Sequence, residues 1–114
     1  MKKQNIVKKS KDFNRIIQKR QGKSNNYFII NKEENNENKS KFGITFTKKI
    51  GNAVIRNKLK RRIKSIIDNN TEIYESNTTY IIIAKKEVLN LSYKQMEQEL
   101  TNVFQKIKGE KNEK

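Results

Sequence analysis

Ten cations stand between Glu37 and Asp68 with no Asp or Glu among them: Lys39, Lys41, Lys48, Lys49, Arg56, Lys58, Lys60, Arg61, Arg62 and Lys64. A solvated helix face ordinarily mixes signs, because Glu–Lys pairs four residues apart stabilise it and like charges at that spacing destabilise it. A run of one sign works against folding unless an anion compensates. Phosphate answers that need, since Arg forks and Lys ammonium groups neutralise a nucleic-acid backbone and release its counterions. The chemistry on offer is binding. With no His and no Cys, the usual general base, the thiol nucleophile and the commonest zinc ligands are missing. Asp12 and Asp68 are the only aspartates and lie far apart, which leaves no evident two-metal nuclease site. No catalytic residue and no protein-held metal are expected.

The elements that must position these cations can be read from apolar periodicity. Phe13, Ile16 and Ile17 form one helical stripe, with Ser10 as a cap candidate. Residues 22–26 read as loop, residues 27–30 as strand, and the polar stretch 32–41 as a hairpin loop. Phe42, Ile44 and Phe46 alternate along one face of a further strand. Asn52 is placed to cap a helix over residues 53–69, in which Ile55, Leu59, Ile63, Ile66 and Ile67 keep to one side. At 100° per residue, Asn57, Arg61 and Lys64 fall on the opposite side, flanked by Arg56 and Lys60 and by Lys58. Residues 79–84 have the continuous β-branched and aromatic composition of a central strand. Ser92 and Gln95 make a capping box. Behind it Tyr93, Met96, Leu100, Val103, Phe104 and Ile107 form a stripe that Gly109 can end, leaving residues 110–114 as a frayed tail. The order is α, β, β, α, β, α with room for one short strand more. It is an α+β fold, a small sheet packed by helices.

At 114 residues with 32% hydrophobic and 34% charged residues and a net charge of +15, the chain reads as a single domain, residues 1–114, with a modest core. The longest apolar run, residues 81–84, is far below the roughly 20 residues of a membrane span. No membrane partner is expected, and the lack of cysteine suits a reduced, cytoplasmic setting.

The segment Lys48-Lys49-Ile50-Gly51-Asn52-Ala53-Val54-Ile55-Arg56-Asn57-Lys58-Leu59-Lys60-Arg61 closely resembles the signature of the bacterial ribonuclease P protein component, roughly K-K-x-G-N-A-V-x-R-N-R-x-K-R. Lys58 stands where that family usually has Arg, which keeps the charge and loses the planar fork. The basic lead with Phe13, the Phe42-Gly43 strand, the strand at residues 80–85 and the last helix follow in matching order. The resemblance covers nearly the whole chain.

It implies an αβββαβα sandwich with a left-handed β-α-β crossover, an exception to the usual hand. It also implies the protein subunit of a ribonucleoprotein that removes the 5′ leader from precursor tRNA. In such a particle the RNA is the catalyst and holds the required Mg²⁺, and no further protein is obligatory. Carried over by position, the RNA-facing residues are Lys49, Asn52, Arg56, Asn57, Lys58, Lys60, Arg61 and Lys64. A leader cleft between the first helix and the sheet would use Phe13, Lys9 and Arg15. Ile17 and Asn31 stand where relatives often carry aromatics, so stacking, worth roughly 1–3 kcal/mol per base, should contribute less. Phe13 is equally readable as core, and the sheet face of Phe42 and Phe46 stays open. A ribosomal protein would explain the charge and not the signature. A DNA-binding regulator lacks a helix-turn-helix partner, and a self-sufficient endoribonuclease lacks its catalytic groups.

Overall fold

The computed structural model describes residues 1–112. Its elements are α1 (Ser10–Lys19), β1 (Gly22–Ser24), β2 (Phe28–Glu34), β3 (Lys41–Phe46), α2 (Ala53–Asn69), β4 (Thr78–Ala84) and α3 (Tyr93–Asn112), with short 3-10 turns at Lys3–Asn5, Thr71–Ile73 and Lys86–Asn90. That is the αβββαβα order the resemblance implies. The four strands make one sheet in the order β1-β2-β4-β3. β4 pairs antiparallel with β2, from Phe28 opposite Ala84 to Glu34 opposite Thr78. On its other side it pairs parallel with β3, from Lys41 opposite Thr79 to Phe46 opposite Ala84. Parallel neighbours need a crossover, and α2 supplies it.

Alternation along the strands gives the sheet two unlike faces. Phe28, Ile30, Phe42, Tyr80, Ile82 and Ala84 point to the side where α2 and α3 pack, meeting Leu59, Ile63, Ile66 and Ile67 of α2 and Met96, Leu100, Val103 and Phe104 of α3. Phe42 stacks on Tyr80 at 5.6 Å and meets Tyr74 edge-on at 4.8 Å, and Tyr80 meets Phe104 edge-on at 5.2 Å. Phe42 therefore belongs to the core, and Phe46 and Ile44 lie half-buried against it. The opposite face carries α1 and a smaller cluster of Val7, Ile16 and Ile81, with Phe13, Ile17 and Ile83 packed beside it.

Four local expectations need correction. Part of the loop expected at residues 22–26 is strand β1, because Gly22, Lys23 and Ser24 pair with Asn31, Ile30 and Ile29. Residues 32–41 do not close a hairpin: β2 continues to Glu34, and β4 lies between it and β3. Ser10 opens α1 without capping it; the cap position is Lys9, in extended conformation with no side-chain bond. Nor does Gly109 stop the last helix, which runs on to Asn112. One glycine costs a helix only about 1 kcal/mol, and this one has nothing within 4 Å of where a Cβ would stand. The rest of the tail, residues 113–114, lies outside the described residues.

Phe104 joins both aromatic neighbours and is 1% exposed. Phe104→Ala should lower unfolding stability by about 3–5 kcal/mol, read as a reduced urea midpoint with an unchanged slope.

Candidate nucleic-acid interface

The basic helix is held by its ends and by its apolar side. Lys49 and Gly51 adopt positive φ (74° and 133°), turning the chain sharply between β3 and α2. The Asn52 side-chain oxygen then accepts the Ile55 N–H at 3.1 Å, the expected cap. Its oxygen is thus committed to the helix, and only its amide NH₂ is left to face a ligand. Leu59, Ile63, Ile66 and Ile67 are buried. Arg56, Asn57, Lys58 and Arg61 are exposed, while Lys60, Arg62 and Lys64 are half-buried. Lys48 and Lys49 stand at the helix entrance. Val54, 75% exposed, adds an apolar surface beside them.

Elsewhere on the protein some cations are matched by carboxylates. Arg15 meets Glu33 at 2.8 Å and Asp12 at 2.9 Å, and Lys19 meets Glu33 at 2.6 Å. Lys41 and Lys39 lie 2.8 and 3.8 Å from Glu37. These two lysines belong to the one-sign run in sequence but are neutralised by the carboxylate that borders it. On residues 48–64 no cation has an acidic partner among the described residues. The cations of α2 and its entrance therefore form a continuous stretch of open charge.

The residues expected in a leader cleft divide. The Phe13 ring lies over Gly43, whose missing Cβ is what admits it: a Cβ there would stand 2.6 Å from Phe13 Cζ. The ring is half-buried, partly core and partly surface. Lys9 is exposed. Arg15 is engaged by Asp12 and Glu33, and hydrogen bonds from Arg15 and then Lys19 lower the Glu33 carboxyl to about 2. Beyond Ile17, α1 leaves the sheet uncovered. There a cavity of about 340 Å³ is lined by Ile17, Arg20, Gly22, Lys23, Ser24, Ile29, Asn31 and Ile83. Sequence reasoning missed Arg20 and Lys23 here, because the loop that carries them showed no strand signal.

An α+β scaffold whose crossover helix presents a stretch of unmatched positive charge has the character of a small nucleic-acid-binding protein. Comparison with known proteins narrows the class. The family model "Ribonuclease P" matches residues 1–108. The ribonuclease P protein component of Streptococcus pneumoniae serotype 4 is 38% identical over 104 residues, 91% of this chain and 85% of that protein. Among solved structures, a Staphylococcus aureus RNase P protein mutant with defective mRNA degradation activity has a TM-score of 0.84 at 31% identity, covering 93% of this chain and 90% of the other. The RNase P protein of Thermotoga maritima, at 24% identity and a TM-score of 0.78, shares the fold over 88% of this chain and 94% of that one. The chain belongs to the ribonuclease P protein family, the protein component of the ribonuclease that processes the 5′ leader of tRNA.

Two outcomes follow from the charge arrangement. Lys60→Ala with Arg61→Ala should weaken binding to ribonuclease P RNA and flatten log affinity against log salt by about 0.7–0.9 for each phosphate no longer neutralised. Unfolding stability should move by no more than about 0.5 kcal/mol. An unchanged salt slope would return these residues to a structural role. Glu33 concerns pH. Its folded carboxyl titrates at about 2 against an ordinary 4.5, so its stabilising effect is complete above pH 4.5 and is lost as pH falls toward 2. Glu33→Gln should lower the melting temperature at neutral pH and flatten its fall across that window, followed by circular dichroism.

Proposed function

We propose that this chain is the RNA-binding subunit of a ribonucleoprotein endoribonuclease, in which the RNA hydrolyses the phosphodiester and the protein holds RNA and substrate. The carrying observation is the set of cations on α2 and its entrance that no carboxylate neutralises among the described residues. Lys49, Arg56, Asn57, Lys58, Lys60, Arg61 and Lys64 would engage the backbone of the catalytic RNA, as point charges from Lys and as forks from the two Arg. Mg²⁺ held by that RNA supplies the electrophilic assistance.

On the other sheet face, the surface between α1 and the strands would take the single-stranded leader of precursor tRNA. It offers the edge of the Phe13 ring, then the isoleucines Ile17, Ile29 and Ile83, rimmed by Lys9, Arg20 and Lys23. Single-stranded RNA is held by this combination of flat apolar surface and cations. The leader would add affinity that mature tRNA does not receive.

Purified protein with Mg²⁺ alone should leave precursor tRNA intact, and adding ribonuclease P RNA should produce the mature 5′ end. Sustained cleavage at that site by RNA-free protein would overturn the subunit reading. The complex should bind full-length precursor about tenfold more tightly than mature tRNA, about 1.4 kcal/mol. Cutting the leader to one or two nucleotides should erase the difference.

A further inference from the structure

The apolar stripe of α3 that buries Met96, Leu100, Val103, Phe104 and Ile107 begins one turn earlier, at Tyr93. Tyr93 does not follow it into the core, and 36% of its surface stays exposed. Its phenol reaches across to α2, where it shares a hydrogen bond of 2.8 Å with the Ser65 hydroxyl. An aromatic ring that begins one helix is thus tied by its polar end to the surface of the other.

The place on α2 to which it is tied is charged. At 100° per residue, Val54, Lys58, Arg61 and Ser65 fall within about 60° of one another, a single line along the outer side of the helix. Val54 opens that line and is 75% exposed. Lys58 and Arg61 follow, both exposed and without a carboxylate partner among the described residues. Ser65, with Tyr93 bonded to it, closes the line about 16 Å from Val54 along the axis. Two unmatched cations therefore stand between an exposed aliphatic side chain and an exposed aromatic one.

Cations alone neutralise a phosphate backbone whatever its pairing. A ring beside them serves a narrower class of partner. In a duplex the base faces are covered by one another, whereas an unpaired nucleotide lays its base on an aromatic side chain while its phosphates meet Lys and Arg. We propose that Tyr93 is an RNA-binding residue that extends the basic face of α2 onto the start of α3, stacking on one unpaired base of the ribonuclease P RNA; this rests on the reading that α2 engages that RNA. Ser65 is a positioning residue, holding the ring by its hydroxyl beside Lys58 and Arg61. Tyrosine suits the role, because its hydroxyl takes the bond and its ring face is left for a base. α2 and α3 pack on the sheet face opposite α1, so this contact is separate from the surface proposed for the leader.

The test measures affinity of the whole protein for ribonuclease P RNA across a range of salt concentrations. Tyr93→Ala should weaken binding about tenfold, as loss of one stacked base does, with an unchanged salt slope, because the ring neutralises no phosphate. Tyr93→Phe and Ser65→Ala both keep the ring and lose the hydrogen bond, and each should stay within about threefold of wild type. Chemical probing of the RNA should show an unpaired base that wild type and Tyr93→Phe protect and Tyr93→Ala leaves reactive. Equal weakening in all three variants would assign the effect to the link between α2 and α3 and overturn the proposal, as would base protection that survives Tyr93→Ala. If Lys60→Ala with Arg61→Ala flattens the salt slope while Tyr93→Ala binds like wild type, this proposal alone fails. If neither variant changes RNA binding, the reading of α2 fails with it.

Discussion

Strand β4 stands between an antiparallel neighbour and a parallel one, and the parallel partnership cannot be closed by a tight turn. The chain must leave the end of β3, cross a face of the sheet and return to the start of β4. The seventeen residues of α2 make that crossing, with their isoleucine side against the sheet and their cationic side outward. The basic helix is thus an obligatory connection in the topology. Its apolar anchors, Leu59, Ile63, Ile66 and Ile67, hold it in the core, which leaves the outward charges available to a partner. The two candidate surfaces lie apart, because α2 occupies one face of the sheet and α1 the other.

Charge follows the same division. Glu33 and Glu37 sit where Arg15, Lys19, Lys39 and Lys41 can reach them, whereas the cations of the crossover helix and its entrance have no carboxylate partner among the described residues. Self-repulsion there destabilises the free protein, and whatever anion binds the folded form stabilises it by mass action. The left-handed turn through Lys49 and Gly51 contributes to the same end, because it brings two lysines to the positive end of the helix dipole. Only a polyanion makes that crowding favourable.

The helices are legible in the sequence because their apolar periods are long: α2 begins and ends where the Asn52 cap and the isoleucine stripe place it, and the Ser92–Gln95 capping box forms with bonds of 2.9 and 3.2 Å. The strand pairings are less so. Gly22-Lys23-Ser24 has no strand composition and becomes β1 only because β2 offers an edge. The polar run after Phe28–Ile30 has the composition of a turn, yet Glu33 is held in the strand by Arg15 and Lys19 from α1, a contact between distant segments. Of the candidate interface, the α2 cations are readable and so is the aromatic at Phe13. The cavity around Asn31 is not, since it is made by a register between β1, β2 and β4 that no local pattern encodes.

That register also sets an order of events as the chain leaves the ribosome. Residue 28 pairs with residue 84, so β2 and β3 each keep one open edge until nearly three quarters of the protein has been synthesised. Before then the pairings available are the β1–β2 hairpin and the Ile6–Phe42 bridge, and the crossover helix has no finished sheet to lie on. Pairings this distant in sequence are slow to close and leave apolar edges exposed meanwhile. The dense positive charge of the crossover segment emerges during that interval, and its mutual repulsion keeps nascent chains apart until β4 arrives.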